Sequence, residues 1–421
     1  MIQSNPKLGW WAKLAWQSYG YLPMGAEDVL KWCSRYILPF KGLRIPIVIL
    51  RGPTRPDGHP GTLLVAGAEQ GLDYMTSRFF DGDYQREIVD KVPLWNLART
   101  LKHLRTSAEL TIVRLDRLSA RLFFDADYLA VPEWVGSTLA VPEDLAKLTR
   151  GNTSLKSDLR IVRRNKLTPE VSKAEEDFDE FYYTMYVPFI RKRYGKQAVI
   201  RNVYWMRRAF SQGGLIWVLQ DSQRISGVLF RRRGQVLQSL AMGTANGEWA
   251  LLKAGADIAT DLFIVKHAKK LGCKFIDFGG SRPSLNDGVL RYKRKWGINL
   301  IEKPDIWYDF LVHWNSFNGV VASFLSRTPL IFRDHDGLSA IYAIDHNDAK
   351  TRGEVQNIYR SMWMPGLRCL YLVSASDWKA VQDIPSKTVL IDLTAGRECN
   401  PRTLQALRGD NKRAQIEKRL F

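Results

Sequence analysis

Cys273-Lys-Phe-Ile-Asp277-Phe-Gly279-Gly280-Ser281-Arg282-Pro-Ser-Leu-Asn286-Asp287-Gly-Val-Leu-Arg291-Tyr292-Lys293-Arg294-Lys295-Trp296-Gly297 compresses three kinds of local structure into 25 residues. Phe275 to Phe278 reads as a short buried strand, and Gly279 to Pro283 reads as a turn. Asn286-Asp287 supplies the cap of a helix that carries Arg291, Lys293, Arg294 and Lys295 and stops at Gly297. A strand end, a glycine turn and a basic helix in such quick succession form a place where an anion can dock. Tyr292 and Trp296 are four apart and read as the apolar side of that helix.

Working outward, the preceding block has a regular order of elements. Ser154 to Lys166 reads as a basic amphipathic helix, and Glu175-Glu176-Asp177 opens a longer one that ends near Arg191-Lys192-Arg193, as the helix dipole favours. Three strands follow, Leu215–Gln220, Ile225–Arg231 and Val236–Met242, with Gln220-Asp221-Ser222-Gln223 as a hairpin turn. A helix from Glu248 to Leu271 then leads into the quoted stretch.

This order and the Asp-Phe-Gly-Gly strand end before a Tyr-Lys helix closing in Gly resemble the acyltransferase domain of Fem-type peptidyltransferases and related GNAT-fold, BioF2-like proteins. The resemblance covers about residues 135 to 300, its most specific part being the last 25. It implies an α/β protein with a mixed, mostly antiparallel sheet flanked by helices. The expected organisation is a divergent, GNAT-like N-terminal half over 1–134, a GNAT domain over 135–304 and a C-terminal extension over 305–421. In the N-terminal half, Ile45–Leu50, Thr62–Ala66, Leu110–Leu115 and Leu118–Phe124 read as strands and Leu94–Leu104 as a helix. The extension reads as an apolar helical stretch from Lys303 through Phe324, then a small βαβ unit with strands at Cys369–Val373 and Thr388–Leu393.

The implied activity is N-acyl transfer, moving an acyl or aminoacyl group from a thioester or an aminoacyl-tRNA to an amine. In GNAT enzymes the junction after the third meander strand cradles a pyrophosphate, which here falls on Gly243, Thr244, Asn246 and the helix that follows, with Lys253 alongside. The acetyl-CoA signature Gln/Arg-x-x-Gly-x-Gly/Ala is not matched by Leu252-Lys253-Ala254-Gly255-Ala256-Asp257. Acyl-CoA is the implied cofactor of the fold, and aminoacyl-tRNA is the donor of the Fem branch. Lys293 would neutralise a phosphate or a developing oxyanion. Arg282, Gly279, Gly280, Ser281, Asn286, Arg291, Tyr292 and Lys295 complete the expected donor-binding set. Transfer to an amine needs a base. Asp277, at the carboxyl end of its strand, and Glu248, at the head of a helix, are the candidates, and each reads equally as a local turn or dipole residue.

Charge fits an anionic partner. The chain of 421 residues carries +19, and residues 151–300 hold 27 Lys and Arg against 13 Asp and Glu. CoA, a nucleotide-linked sugar, tRNA or an anionic membrane would satisfy it. A tRNA donor predicts contacts through Arg160–Lys166, Arg191–Arg208 and Arg231–Arg233. A non-catalytic GNAT scaffold binding an anionic polysaccharide, nucleic acid or membrane surface is the rival reading.

Other classes find no support. Cysteines 33, 273, 369 and 399 show no paired spacing, so no disulfide framework or zinc knuckle is indicated. Asp334-His335-Asp336 and Asp345-His346-Asn347-Asp348 read as polar turns and not as a metal site. No P-loop, Rossmann fingerprint or nucleophile elbow occurs. With no run of about 18 apolar residues, a cytoplasmic protein without a transmembrane segment is expected. Trp10, Trp11 and Trp16 read first as core or domain-packing residues, with a peripheral contact at the inner membrane as the alternative.

Overall fold

The computed structural model describes residues 44–67, 71–195, 198–303, 307–335, 337–344, 352–374, 387–393 and 399–404. The tryptophans at 10, 11 and 16 lie outside the described residues, as do 336 and 345–348. Two compact units divide the described residues, one built of Gly136–Gly280 and Tyr292–Asn299, the other of residues 44–135, Ser281–Arg291 and those from Leu300 onward.

The unit that holds the N-terminal half opens with β1 (Arg44–Pro53), β2 (Pro60–Gly67), β3 (Gln85–Pro93), β4 (Leu110–Asp116) and β5 (Leu129–Pro132). β1 pairs antiparallel with β2 and β3, and β4 runs parallel to β2 after the Leu94–Leu104 helix, whose Leu94, Leu97 and Leu101 are buried. Residues 118–124, expected as a strand, are helical over Arg117–Phe123. The reason is a cap: the Asp116 side chain accepts from the Ser119 N–H at 2.9 Å and starts the turn.

The other unit carries β6 (Val135–Ala140), β7 (Thr168–Ser172), β8 (Gly213–Gln220), β9 (Gln223–Arg233), β10 (Val236–Thr244) and β11 (Phe275–Ser281). They lie in the order β6-β11-β10-β9-β8-β7, with β8-β9-β10 an antiparallel meander and β11 parallel to β10 across the helix that joins them. This is the order of strands and helix expected from the sequence. Asp221 and Ser222 both take positive φ, 49° and 64°, as a two-residue hairpin turn requires. Phe178, Phe181, Met206, Leu215, Trp217 and Leu229 fill the core between the meander and its helices. The single helix expected over 248–271 is split into Trp249–Lys253 and Ala256–Lys270. Gly255 breaks it at φ 92°, where a Cβ would stand 3.1 Å from the Ile161 side chain.

After β12 (Asn299–Glu302), the stretch expected to be helical from Lys303 is first a strand, β13 (Tyr308–His313), and then the helix Gly319–Arg327 capped by Asn318. β13 sits between β4 and β5 and pairs antiparallel with both. A strand bonded and buried on both sides presents a continuous apolar run, which sequence periodicity cannot tell from a buried helix. β14 (Leu330–Asp334), β15 (Gly337–Ala343), β16 (Leu367–Ser374) and β17 (Thr388–Asp392) form a four-stranded sheet. The expected parallel strand pair is present as β16 and β17, but two further strands extend it.

Candidate functional site

The β10–β11 ladder is short. Pairing covers Val236–Gln238 against Phe275–Asp277 and stops there, although both strands continue. On its other side β10 shifts register against β9 between Ser239 and Ala241, a bulge centred on Leu240. Beyond Gln238 and Asp277 no further pairing joins β10 to β11, which leaves the ladder as an unpaired fork with those two residues at its base.

A polar chain crosses that base. Arg231, 3% exposed, donates from Nε and Nη2 to Gln238 Oε1 at 3.1 and 2.9 Å and from Nη1 to Gln212 Oε1 at 3.3 Å. Gln238 Nε2 donates to Asp277 Oδ2 at 3.4 Å, and Asp277 Oδ1 accepts the Gly279 N–H at 2.7 Å. Gly279 has φ 75°, a conformation that favours glycine and lets the chain fold its amide back onto the carboxylate two residues earlier. The strand expected to stop at Phe278 runs on through both glycines to Ser281, with Gly279 as a left-handed kink inside it. Lys293, 8% exposed, braces that kink: its Nζ donates to the Gly280 carbonyl at 2.9 Å and the Gly279 carbonyl at 3.3 Å.

Behind Lys293 lies a group that the sequence did not single out. Asp261, on the Ala256–Lys270 helix, is half-buried and accepts the Tyr292 hydroxyl at 2.7 Å. Burial pushes its carboxyl up to about 7, the Asp257 charge adds to this, and the Tyr292 hydrogen bond and the Lys293 charge oppose it. Tyr292 is held well above the ordinary phenol range by burial first and by the Asp261 charge second. Asp257 is likewise raised by burial, and its Oδ1 accepts the Ile258 N–H at 2.9 Å. The first two turns of this helix thus carry carboxylates where a pyrophosphate would need unopposed N–H groups.

The structure brings Asp277, Gly279, Gly280, Tyr292 and Lys293 together and accounts for the other expected residues differently. A Cβ on Gly243 would lie 2.5 Å from the Met185 carbonyl carbon and the Tyr186 nitrogen, so this glycine admits the backbone of the π-helical turn Phe181–Tyr186 and not a ligand. Thr244 is fully buried and its hydroxyl has no hydrogen-bond partner. Asn246 takes a left-handed conformation, φ 51°. Glu248 and Lys253 are exposed at the two ends of a helix of only five residues. Lys295 pairs with Asp158 at 3.0 Å, and its carbonyl accepts from Asn152. Of the basic groups expected to line a tRNA groove, Arg208 and Arg231 are buried, 4% and 3% exposed, so they contribute to the interior and not to such a surface.

Ser281, Arg282, Asn286 and Arg291 belong to the other unit. Arg282 packs flat on Trp134, 4.1 Å from the ring centroid, and 3.7 Å from Glu133, which also receives Arg114 at 3.0 Å. Burial lowers its guanidinium below the ordinary range, and Glu133 opposes the shift. Asn286 donates to the Ser326 and Arg327 carbonyls, Ser281 is buried, and Arg291 is exposed. Asp287 caps the Gly288–Arg294 helix as expected, its Oδ1 accepting the Leu290 N–H at 3.0 Å. Asp334, expected in a turn, is the last residue of β14, and its side chain accepts from the His335 N–H and the Ser339 hydroxyl. Among the described residues no group of His, Cys, Asp and Glu is placed to hold a metal ion, and no helix is long and apolar enough to cross a membrane.

No family model and no curated protein matches the chain. Solved structures do. The chain is similar to the crystal structure of FemX at 14% identity, covering 66% of this chain and 90% of that one with a TM-score of 0.34. L-PGS from Bacillus licheniformis is similar at 11% identity over 65% and 87% with a TM-score of 0.32. A tandem GNAT protein from the clavulanic acid biosynthesis pathway is similar at 9% identity over 61% and 79% with a TM-score of 0.24. At these values the likeness carries no conclusion about substrate.

Proposed function

We propose that the protein is an N-acyltransferase that moves an acyl or aminoacyl group from a thioester or an aminoacyl-tRNA to an amine. The observation that carries this reading is the end of β10–β11 pairing at Gln238 and Asp277. Backbone beyond that point on β10 has no ladder partner toward β11, which leaves polar groups able to bind an extended acyl chain and to polarise its carbonyl. In the proposed reaction the amine nitrogen attacks the carbonyl carbon and the C–N bond forms. The C–S or C–O bond to the donor breaks with its electron pair going to sulfur or oxygen, and the amine proton passes to the Asp277 carboxylate, directly or through one water, and from there to the leaving thiolate or alkoxide. Lys293 acts by fixing the Gly279-Gly280 turn through two carbonyls. The carboxylates at the head of the Ala256–Lys270 helix favour a donor whose phosphates are held elsewhere, and so support the aminoacyl-tRNA form over acyl-CoA.

Thermal stability measured with acetyl-CoA, a longer acyl-CoA and charged tRNA at two salt concentrations tests this, since a ligand that binds only the native state raises its stability. Stabilisation by charged tRNA that fades with salt is expected. Stabilisation by an acyl-CoA instead would keep the transferase and replace the donor. Silence with all three would overturn the reading in favour of an idle scaffold that binds an anionic polymer.

A further inference from the structure

Four large apolar side chains stand in solvent on two neighbouring helices of the unit that holds the N-terminal half. Trp95 is 59% exposed on the Leu94–Leu104 helix, and Leu118, Leu122 and Phe123 are 41%, 66% and 36% exposed on the Arg117–Phe123 helix. Scattered apolar residues are normal on a surface, but these are gathered. Ala98, Lys102, Leu122 and Phe123 line one depression of about 250 Å³ that joins the two helices.

Helical spacing explains the grouping. Trp95, Ala98, Arg99 and Lys102 fall on one stripe, opposite the buried Leu94, Leu97 and Leu101. Leu118, Arg121 and Leu122 fall on another, with Ser119 and Ala120 buried behind. Neither helix contains an acidic residue, and Arg99, Lys102 and Arg121 are exposed among the apolar groups. Asp125 and Asp127 stand at the rim, Asp127 is taken up by Arg105 at 3.0 Å and Arg402 at 2.7 Å, and Asp116 caps the start of the second helix.

We infer that these two helices are a docking face for the surface of an anionic lipid bilayer. Apolar side chains with an indole among them, ringed by cations, match the two layers of such a surface: hydrocarbon beneath, phosphate above. A second copy of the chain is disfavoured as occupant, because a symmetric contact would set Arg99, Lys102 and Arg121 against their own copies. The inference stands apart from the acyl-transfer reading and holds for an idle scaffold as well.

Vesicle flotation of the full chain tests it, with vesicles of phosphatidylcholine alone and of phosphatidylcholine containing about 30 mol% phosphatidylglycerol. A chain of charge +19 meets any anionic surface, so charge alone decides nothing. The deciding variant is Trp95→Ser with Leu122→Ser, which leaves charge unchanged and alters only exposed positions. Wild type should float with the anionic vesicles and stay bound at about 0.5 M salt, where screening reaches within roughly 4 Å. The double variant, with an unaltered melting temperature, should bind at least about tenfold more weakly there. Equal binding by both proteins, or no flotation of wild type, overturns the proposal. A shift of wild type from dimer to monomer in the variant, seen by gel filtration, would overturn it in favour of self-association.

Discussion

Replacing Asp261 by Asn should stabilise the protein in a pH-dependent way. The half-buried, largely desolvated Asp261 carboxyl is raised from 3.8 to about 7, whereas in the unfolded chain it titrates near its ordinary value. A folded-state value above the unfolded one means that the native protein holds the proton more tightly. The stabilisation from the protonated carboxyl is complete below about pH 4 and is lost as pH rises through about 7. The interval of about 3 units corresponds to roughly 4 kcal/mol at about 1.4 kcal/mol per unit. Asn keeps the shape and can accept the Tyr292 hydroxyl, but it never has to ionise. The variant's advantage should therefore grow by roughly 3 kcal/mol between pH 5 and pH 8. Urea unfolding of both proteins at unit pH steps, followed by fluorescence, measures it. An advantage that stays flat across that range would refute the reasoning, because every influence on this carboxyl, burial first, acts through its ionisation.

Lys293→Met should cost about 2–4 kcal/mol, since it removes the charge-assisted bonds to Gly279 and Gly280 and leaves two carbonyls unpaired; chemical denaturation reads this, and Lys293→Arg should recover part of it. If Asp277 is the base, Asp277→Asn should lower turnover about 10²–10⁴-fold in the donor assay that succeeds, with a much smaller change in donor affinity. Gly243→Ala should destabilise by roughly 2–4 kcal/mol through backbone displacement at Met185 and Tyr186, visible as a lower melting temperature, whereas Gly297→Ala has open space and is strained only by its φ of 72°. Cys369 and Cys399, both pushed up to about 12 by burial, should resist a thiol reagent at pH 8 until the protein is unfolded.

The meander, the helix that follows it and the quoted strand-turn-helix stretch were legible because each carries its own local signal: a two-residue turn at Asp221-Ser222, a strand of alternating burial, a capping Asp287. β7 was not, since its five residues include Pro169 and face solvent almost throughout, the mark of an edge strand that makes little hydrophobic signal. β13 was misread because non-local pairing to β4 and β5, more than 170 residues earlier in the chain, is what makes it a strand. Site chemistry divides the same way. Asp277 was expected at the end of a strand closing at Phe278 but lies inside β11, which the glycines continue to Ser281. Asp261 could not be singled out, because a helix with Asp257, Asp261 and four later basic side chains reads as an ordinary dipole-compensated element, and only the packing of Tyr292 against it removes water.

The fork has one side already satisfied. The Gly279 N–H is spent on Asp277, and the Gly279 and Gly280 carbonyls are spent on Lys293, so the β11 arm offers little to a donor carbonyl at its turn. Polarisation of that carbonyl must come from β10, whose backbone after Gln238 has no ladder pairing toward β11. The two arms then have distinct duties in the proposed transfer: β10 receives the carbonyl, and β11 holds the carboxylate that receives the proton. They are also coupled. Protonating Asp277 weakens its grip on the Gly279 amide, because a neutral acid is a poorer acceptor than a carboxylate. Lys293 keeps the turn in place through that step, bonded to carbonyls whose charge does not change as the proton arrives. A lysine that never touches substrate can in this way be required for turnover, and its loss would appear as a slower chemical step more than as weaker donor binding.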